Sequence, residues 1–332
     1  MEPREYITTK RLTLFILSGA TVFAVLILIG NYEDMYESLQ MITPKVIAIL
    51  LGLTLLNIVV RFLKWDYFLG VLDIKVPIKS SLIVFLSGIT MVITPGKIGE
   101  VFKAQLLKEK EGVERKKTLV VIFAERLTDV IGLTVLSILG IWSMVVNAWA
   151  IVGILFIIAA LIFLITNEKA FTFACLHGKK VPILRDQVVH GNDLYNNCKQ
   201  ILTIKNLVLA TVISSISWSF EGIALFLLLQ NLGENVSLID SIAIYSFSTI
   251  FGAILVLPGG IGAAEGSFFT LLLLAGVPKS TASTATIIIR IVTLWFGVVI
   301  GLISLFLFDR TLKKDGIPRD MSDKEPSIVL DT

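Results

Sequence analysis

Four ionisable side chains stand where hydrocarbon is expected. Glu125, Arg126 and Asp129 lie within one apolar run and Arg290 within another. Charge inside a bilayer is costly, so such residues face a cavity or pair with one another. Glu125 and Asp129 are four apart and share a helix face, while Arg126 and Asp129 are three apart and adjacent. If the first helix starts near Thr118, Glu125 lies about 10 Å inside it, and Arg290 lies about 14 Å from the start of its own run. Guanidinium matches phosphate oxygens bidentately, so Arg126 and Arg290 suit an anionic group. A second reading stands beside it: internal pairing of Arg126 with Asp129, and of Arg290 with Glu265 or Glu125. The two are compatible, because a resting ion pair can open to admit a headgroup.

Two broken apolar segments sit beside these charges. Pro95-Gly96-Lys97-Ile98-Gly99 interrupts one and Pro258-Gly259-Gly260-Ile261-Gly262 the other. At membrane depth an opened backbone is tolerated only where it is buried in protein or lines a cavity. After each turn a half-helix begins, and its free N–H groups and positive dipole end favour an anion. Gly96, Gly99, Gly259, Gly260 and Gly262 therefore join Arg126, Arg290 and Lys97 as candidate binding positions. Glu100 and Glu265 fall in the first turn of their half-helices. Glu100 reads as a cap and Glu265 as a carboxylate able to carry a proton or ion. Glu221, beside Trp218, either lines the cavity or pairs with an arginine. Arg61, Lys64 and Asp66 read as charges snorkelling from a helix end.

These residues must be positioned by membrane helices. The chain has 332 residues, 55% of them hydrophobic, with a mean hydropathy of +0.86. That places it among polytopic membrane proteins as a single domain over 1–310, with a charged, disordered tail over 311–332. The run after Lys10 and Arg11 is too long for a signal peptide and reads as a retained first span. Six full spans are expected near 11–30, 45–64, 118–146, 147–166, 206–230 and 281–308. The two broken segments, with limbs near 81–94 and 98–107 and near 240–257 and 262–276, read as re-entrant hairpins. The first hairpin's limbs reach only about 21 and 15 Å, against a core of roughly 30 Å. The acidic stretch 31–44 reads as an outer loop, and a loosely amphipathic segment around 184–202 as an interfacial or loop helix.

Of the 29 Lys and Arg residues, 24 fall in or beside the segments that this layout makes cytoplasmic. By the positive-inside rule the protein is a multi-pass protein of the cytoplasmic membrane with both termini cytoplasmic. Each half, about 11–146 and 147–308, then reads helix, helix, hairpin, helix, and the second half is inverted relative to the first. Such an inverted-topology repeat suits alternating access. Gly99 to Arg126 spans 27 positions and Gly262 to Arg290 spans 28.

The two cysteines share one polar loop, and no metal, cofactor or nucleic-acid motif is present. Phosphate-binding glycine loops, HExxH and Gly-x-Ser-x-Gly are absent. Transport is therefore expected to run downhill, by exchange or by ion coupling. The combined pattern resembles one family, the flippase-like membrane region of lysylphosphatidylglycerol synthases and its stand-alone relatives. The residues that carry the resemblance are Pro95, Gly96, Gly99 and Glu100; Glu125, Arg126, Leu127 and Asp129; Leu257, Pro258, Gly259, Gly260, Gly262, Glu265 and Gly266; and Arg290. It covers about residues 10 to 308.

The resemblance implies movement of a lipid between leaflets: an anionic or aminoacylated phospholipid, or a polyprenyl-phosphate-linked lipid. In the two-domain synthases a soluble domain makes the aminoacylated lipid. Here the sequence ends 24 residues after Phe308, so a non-enzymatic protein is expected. Membrane lipids are the expected partners, with a lipid-modifying enzyme or glycosyltransferase as a further one and the oligomeric state open. The alternatives are an ion-coupled transporter of a small solute and an accessory subunit of a glycosyltransferase.

Overall fold

The computed structural model describes residues 9–94, 101–140, 191–255 and 257–314, and all regular structure among them is helical. The expected span at 147–166, the turn at 95–100 and the tail from 315 lie outside the described residues. So do Gly96, Lys97, Gly99 and Glu100.

The first described half runs α1 (Thr9–Gly30), α2 (Tyr32–Gln40), α3 (Pro44–Val71), α4 (Ile78–Ile89), α5 (Phe102–Glu111) and α6 (Arg115–Leu139). A tight 3-10 turn, Thr90–Ile93, extends α4. Next come α7 (Gly191–Ile201), α8 (Ile204–Asn231), α9 (Leu238–Ile254), α10 (Ala263–Leu274), α11 (Lys279–Arg290) and α12 (Phe296–Lys314). The 3-10 turn Pro258–Gly260 separates α9 from α10, and a π-turn, Ile291–Trp295, joins α11 to α12. Among the described residues, four stretches are long and apolar enough to cross a bilayer: Leu12–Gly30, Pro44–Val71, Ile204–Asn231 and Lys279–Phe308. Their outer faces carry apolar side chains such as Leu28, Leu63 and Ile204 in the open, as a lipid-facing surface requires.

Two expectations change. Residues 31–44 hold a helix, because Asn31 accepts from the Glu33 amide as N-cap and Glu33 and Asp34 sit at the positive end of the helix dipole. Met35 anchors this α2 by burying its side chain. The long third run ends its helix at Leu139, capped by Gly140, and the rest of that run lies outside the described residues. The amphipathic segment does form a helix, α7, whose Cys198 and Ile201 pack into the core under α3 and α6 with Leu202 just beyond it.

α3 and α8 form the spine. Each is 28 residues long, and each is N-capped by a threonine, Thr43 or Thr203, whose hydroxyl accepts the amide three residues on. They pack extensively on one another. Contacts run Thr54 to Glu221, Asn57 to Ser217, Arg61 to Trp218 and Tyr67 to Asn206, so the two helices are antiparallel. A crossed exchange surrounds them: α4 packs on α12, and α9 packs on α6. Glycines permit the approach at both places. Gly301 of α12 lies on Thr90, whose backbone N would be 2.7 Å from an added Cβ. Gly140 lies against Ala243 of α9.

The two 3-10 turns touch at the centre. Ile93 and Ile261 share a small apolar cluster there with Phe15 of α1 and Val298 of α12. Gly260 has φ of 66°, and an added Cβ would sit 3.1–3.2 Å from the Gly252 backbone, so the turn tucks onto α9 only with glycine at that position.

Candidate functional site

A cavity of about 500 Å³ opens between the spine, α6, α9, the Pro258–Gly260 turn and α11. Three guanidinium groups border it: Arg61 from α3, Arg126 from α6 and Arg290 from α11. Asp129, Glu221, Tyr245, Gly259 and Gly260 also line it.

Arg290 is fixed on two sides. Its Nε donates to Glu265 Oε1 at 2.6 Å, and its Nη2 donates to the Gly259 carbonyl at 2.7 Å. The second carboxylate oxygen of Glu265 accepts the Gly262 amide at 2.7 Å. Glu265 therefore caps α10 and anchors Arg290 at once. The N-terminus of α10, expected to be open to an anion, spends its first amide on the chain's own carboxylate.

Around Arg126 the charges form a chain. Lys103 Nζ lies 2.6 Å from Glu125 Oε2, and Arg126 Nη2 lies 3.0 Å from Glu125 Oε1 and 3.2 Å from Asp129 Oδ2. Lys64 Nζ, fully buried, lies 2.6 Å from Asp129 Oδ1 and donates to Ser214 Oγ at 2.7 Å and to the Glu125 carbonyl at 3.1 Å. Trp218 Nε1 donates to the same Asp129 oxygen at 3.1 Å. Lys103 also lies over the Trp65 ring, 4.5 Å from its centroid. The network ties α5, α6, α3 and α8 together with nearly every charge compensated, which is the condition for keeping ions in a low-dielectric interior.

Lys64 overturns the snorkelling expectation. α3 continues to Val71, seven residues beyond it, and Trp65, Phe68 and Leu69 carry the buried face on. The lysine thus sits within the helix, away from its end. Arg61, one turn earlier, differs again. Its guanidinium lies 5.1 Å from the Trp218 ring centroid, and among the described residues no carboxylate lies within ion-pair distance of it. Its Nε is buried without a hydrogen-bond partner.

Glu221 is also unspent. It is 3% exposed, and its Oε2 accepts from the Thr54 hydroxyl at 3.1 Å, with no cation in ion-pair distance among the described residues. The structure thus brings Arg126, Asp129, Glu221, Gly259, Gly260 and Arg290 to one cavity. Glu125 and Glu265 stand behind it as partners of the arginines. Around the site the described cations are Arg61, Lys64, Lys103, Arg126 and Arg290, against the carboxylates Glu125, Asp129, Glu221 and Glu265. The balance is positive by one, which favours an anion.

Sequence reasoning set Arg61 and Lys64 aside as snorkelling charges and passed over Lys103 and Thr54. The available signal was the run Arg61 to Phe68, where apolar and charged residues alternate with helical spacing well inside a long hydrophobic segment.

The sequence matches the family described as the lysylphosphatidylglycerol synthase TM region over residues 15–301. The chain belongs to this family. Among similar proteins, a UPF0104 membrane protein of Methanocaldococcus jannaschii is 23% identical over 92% of this chain and 97% of its own length. A UPF0104 membrane protein of Pyrococcus horikoshii is 23% identical over 87% of this chain and 94% of its own. The inner membrane protein YbhN of Escherichia coli is 30% identical over 31% of each chain. The match runs from α1 into α12, so it takes in the whole of the arginine-lined cavity.

Proposed function

We propose that this protein moves a lipid with an anionic headgroup between the leaflets of the cytoplasmic membrane. The observation that carries the reading is the two-sided character of the cavity. Arg61, Arg126 and Arg290 border its polar part, while Val101, Phe123, Ile254 and Leu257 line it and are also exposed on the outer, apolar surface. A lipid fits such a site with its phosphate on the guanidinium groups and its chains leaving through the apolar mouth. A water-soluble solute has no use for that mouth.

Alternating access is the mechanism that the packing favours. The corresponding helices α3 and α8 run antiparallel, and α4 on α12 mirrors α9 on α6, as an inverted repeat with both termini cytoplasmic would require. Arg126 and Arg290 rest in ion pairs with the protein's own carboxylates, and a headgroup phosphate would compete with those carboxylates for the guanidinium groups. The reading is of a translocator without catalytic chemistry of its own, working beside an enzyme that makes or uses the lipid.

The test is translocation of a fluorescent phosphatidylglycerol in proteoliposomes, scored by dithionite quenching. Arg126→Ala and Arg290→Ala should abolish it in folded protein. Wild-type rates in both variants would overturn the site. Uptake of an aqueous solute with no lipid movement would overturn the cargo class.

A further inference from the structure

Three guanidinium groups border the cavity, and two of them are already engaged. Arg290 is held by Glu265 and the Gly259 carbonyl, and Arg126 by Glu125 and Asp129. Drawing either one away breaks a buried ion pair, which is costly. Arg61 differs. Among the described residues no carboxylate lies within ion-pair distance of it, Glu221 included, and its buried Nε has no hydrogen-bond partner. A buried donor left unmet is a standing cost, and an acceptor drawn against that edge removes it.

The seat of Arg61 is built from two helices. Its guanidinium lies over the Trp218 ring, 5.1 Å from the centroid, where the ring's negative face attracts it. The ring is itself fixed. Trp218 Nε1 donates to Asp129 Oδ1 at 3.1 Å, and Tyr245 packs beside it with ring centroids 6.5 Å apart. One turn before Arg61, the Asn57 amide donates to the Ser217 carbonyl at 2.8 Å and locks α3 onto α8 next to Trp218. Contact with an aromatic ring occupies the face of a guanidinium. Its N–H groups lie in the plane and stay available at the edge. There Nε and one Nη match two oxygens of a single phosphate, a pairing that an ammonium cannot make.

We propose that Arg61, seated on Trp218, is the group that takes the headgroup phosphate when it first enters, while Arg126 and Arg290 keep their protein partners. The proposal rests on the anionic-lipid reading of the cavity and divides the work within it. Loading on Arg61 breaks no ion pair. The competition for Arg126 and Arg290 belongs to the movement between leaflets that follows, and the cost of opening their pairs falls on that step. Arg61 therefore governs affinity, and the paired arginines govern rate.

The test is isothermal titration of the purified full-length protein with dioctanoyl-phosphatidylglycerol. Arg61→Gln keeps a planar amide over the ring and removes the charge and the fork. It should bind about tenfold to a hundredfold more weakly. Arg61→Lys keeps the charge without the fork and should bind at least about fivefold more weakly. Both should unfold where wild type does in the absence of lipid, since neither breaks an ion pair. Should Arg61→Gln fail to fold, Arg61→Lys carries the test. Arg290→Lys should bind within about threefold of wild type even as its translocation slows.

Wild-type affinity in either folded Arg61 variant would overturn the proposal and leave the lipid reading standing on Arg126 and Arg290. A loss of affinity in Arg290→Lys as large as that in Arg61→Gln would overturn it too, because loading would then need both arginines. Wild-type protein that binds no phosphatidylglycerol would overturn both levels. A parallel titration with glycerophosphoglycerol, the same phosphodiester without its chains, identifies the source of the phosphate. Arg61-dependent binding of the lipid alone supports the lipid reading. Equal, Arg61-dependent binding of both compounds keeps the seat and overturns the lipid reading in favour of a soluble phosphodiester.

Discussion

Lys64 offers the sharpest energetic test of the buried charge chain. Its ammonium is fully buried and lies 2.6 Å from Asp129. Lys64→Met keeps most of the stem's volume and removes the charge. Asp129 would keep its contacts with Ser214, Trp218 and Arg126. Stripping one partner from a buried ion pair costs about 3–5 kcal/mol. Arg126 at 3.2 Å still offsets part of the Asp129 charge, which puts the expectation at the lower end. A loss of about 3 kcal/mol raises the unfolding equilibrium constant by roughly a hundredfold. Asp129→Asn should cost a similar amount, since it strands the lysine. The double variant removes both charges and should recover most of the loss, with a coupling energy of at least about 2 kcal/mol. Reversible unfolding in mixed detergent–SDS micelles, followed by tryptophan fluorescence, measures all three. A Lys64→Met protein within about 0.5 kcal/mol of wild type would refute the reasoning, a change of the size expected at unremarkable surface positions. So would a double variant whose loss equals the sum of the singles.

Arg290→Lys keeps the charge but cannot reach both Glu265 and the Gly259 carbonyl while presenting donors to a ligand. Lipid translocation should fall at least about tenfold with folding retained, measured in proteoliposomes. Gly301→Leu drives a side chain into Thr90 and should separate α12 from α4 at a cost of about 1–3 kcal/mol, read as a lower unfolding midpoint. Gly260→Ala meets both the left-handed backbone and the Gly252 contact. It should cost about 1–3 kcal/mol and loosen the turn, seen as faster hydrogen exchange at Ile261 and Gly262.

Much of the helical layout can be read from hydropathy because long apolar runs have few alternatives in a membrane. α1, α3, α8 and the Lys279–Phe308 segment fall where the runs place them. What escapes is local chemistry outranking pattern. α2 forms in an acidic stretch because Asn31 caps it and Met35 finds a pocket, neither of which leaves a hydropathy signal. The π-turn after Arg290 breaks no apolar run and so is invisible. In the site, Arg126 and Arg290 stand out in the sequence as charges within apolar runs, and both line the one cavity. The fates of Glu265 and Lys64 do not stand out there, because they depend on pairs 25 and 65 positions apart. Arg61 is misread for the same reason: its place over Trp218 is a property of the crossing of two helices and of neither helix alone.

That crossing has one more consequence. α3 begins at Pro44 and α8 at Ile204, and both run for 28 residues, so Arg61 and Glu221 occupy the same rung of the two helices. Descent of both halves from one ancestral segment would have given these rungs the same side chain. A duplicated machine with identical rungs has two access states of equal energy when no gradient is present, as mirror images must. Unlike side chains at the shared rung, an arginine on one helix and a carboxyl on the other, would remove that degeneracy. In a translocator of the kind proposed, the unloaded protein would then have a preferred resting side, and lipid on the other leaflet would wait for an excursion away from it.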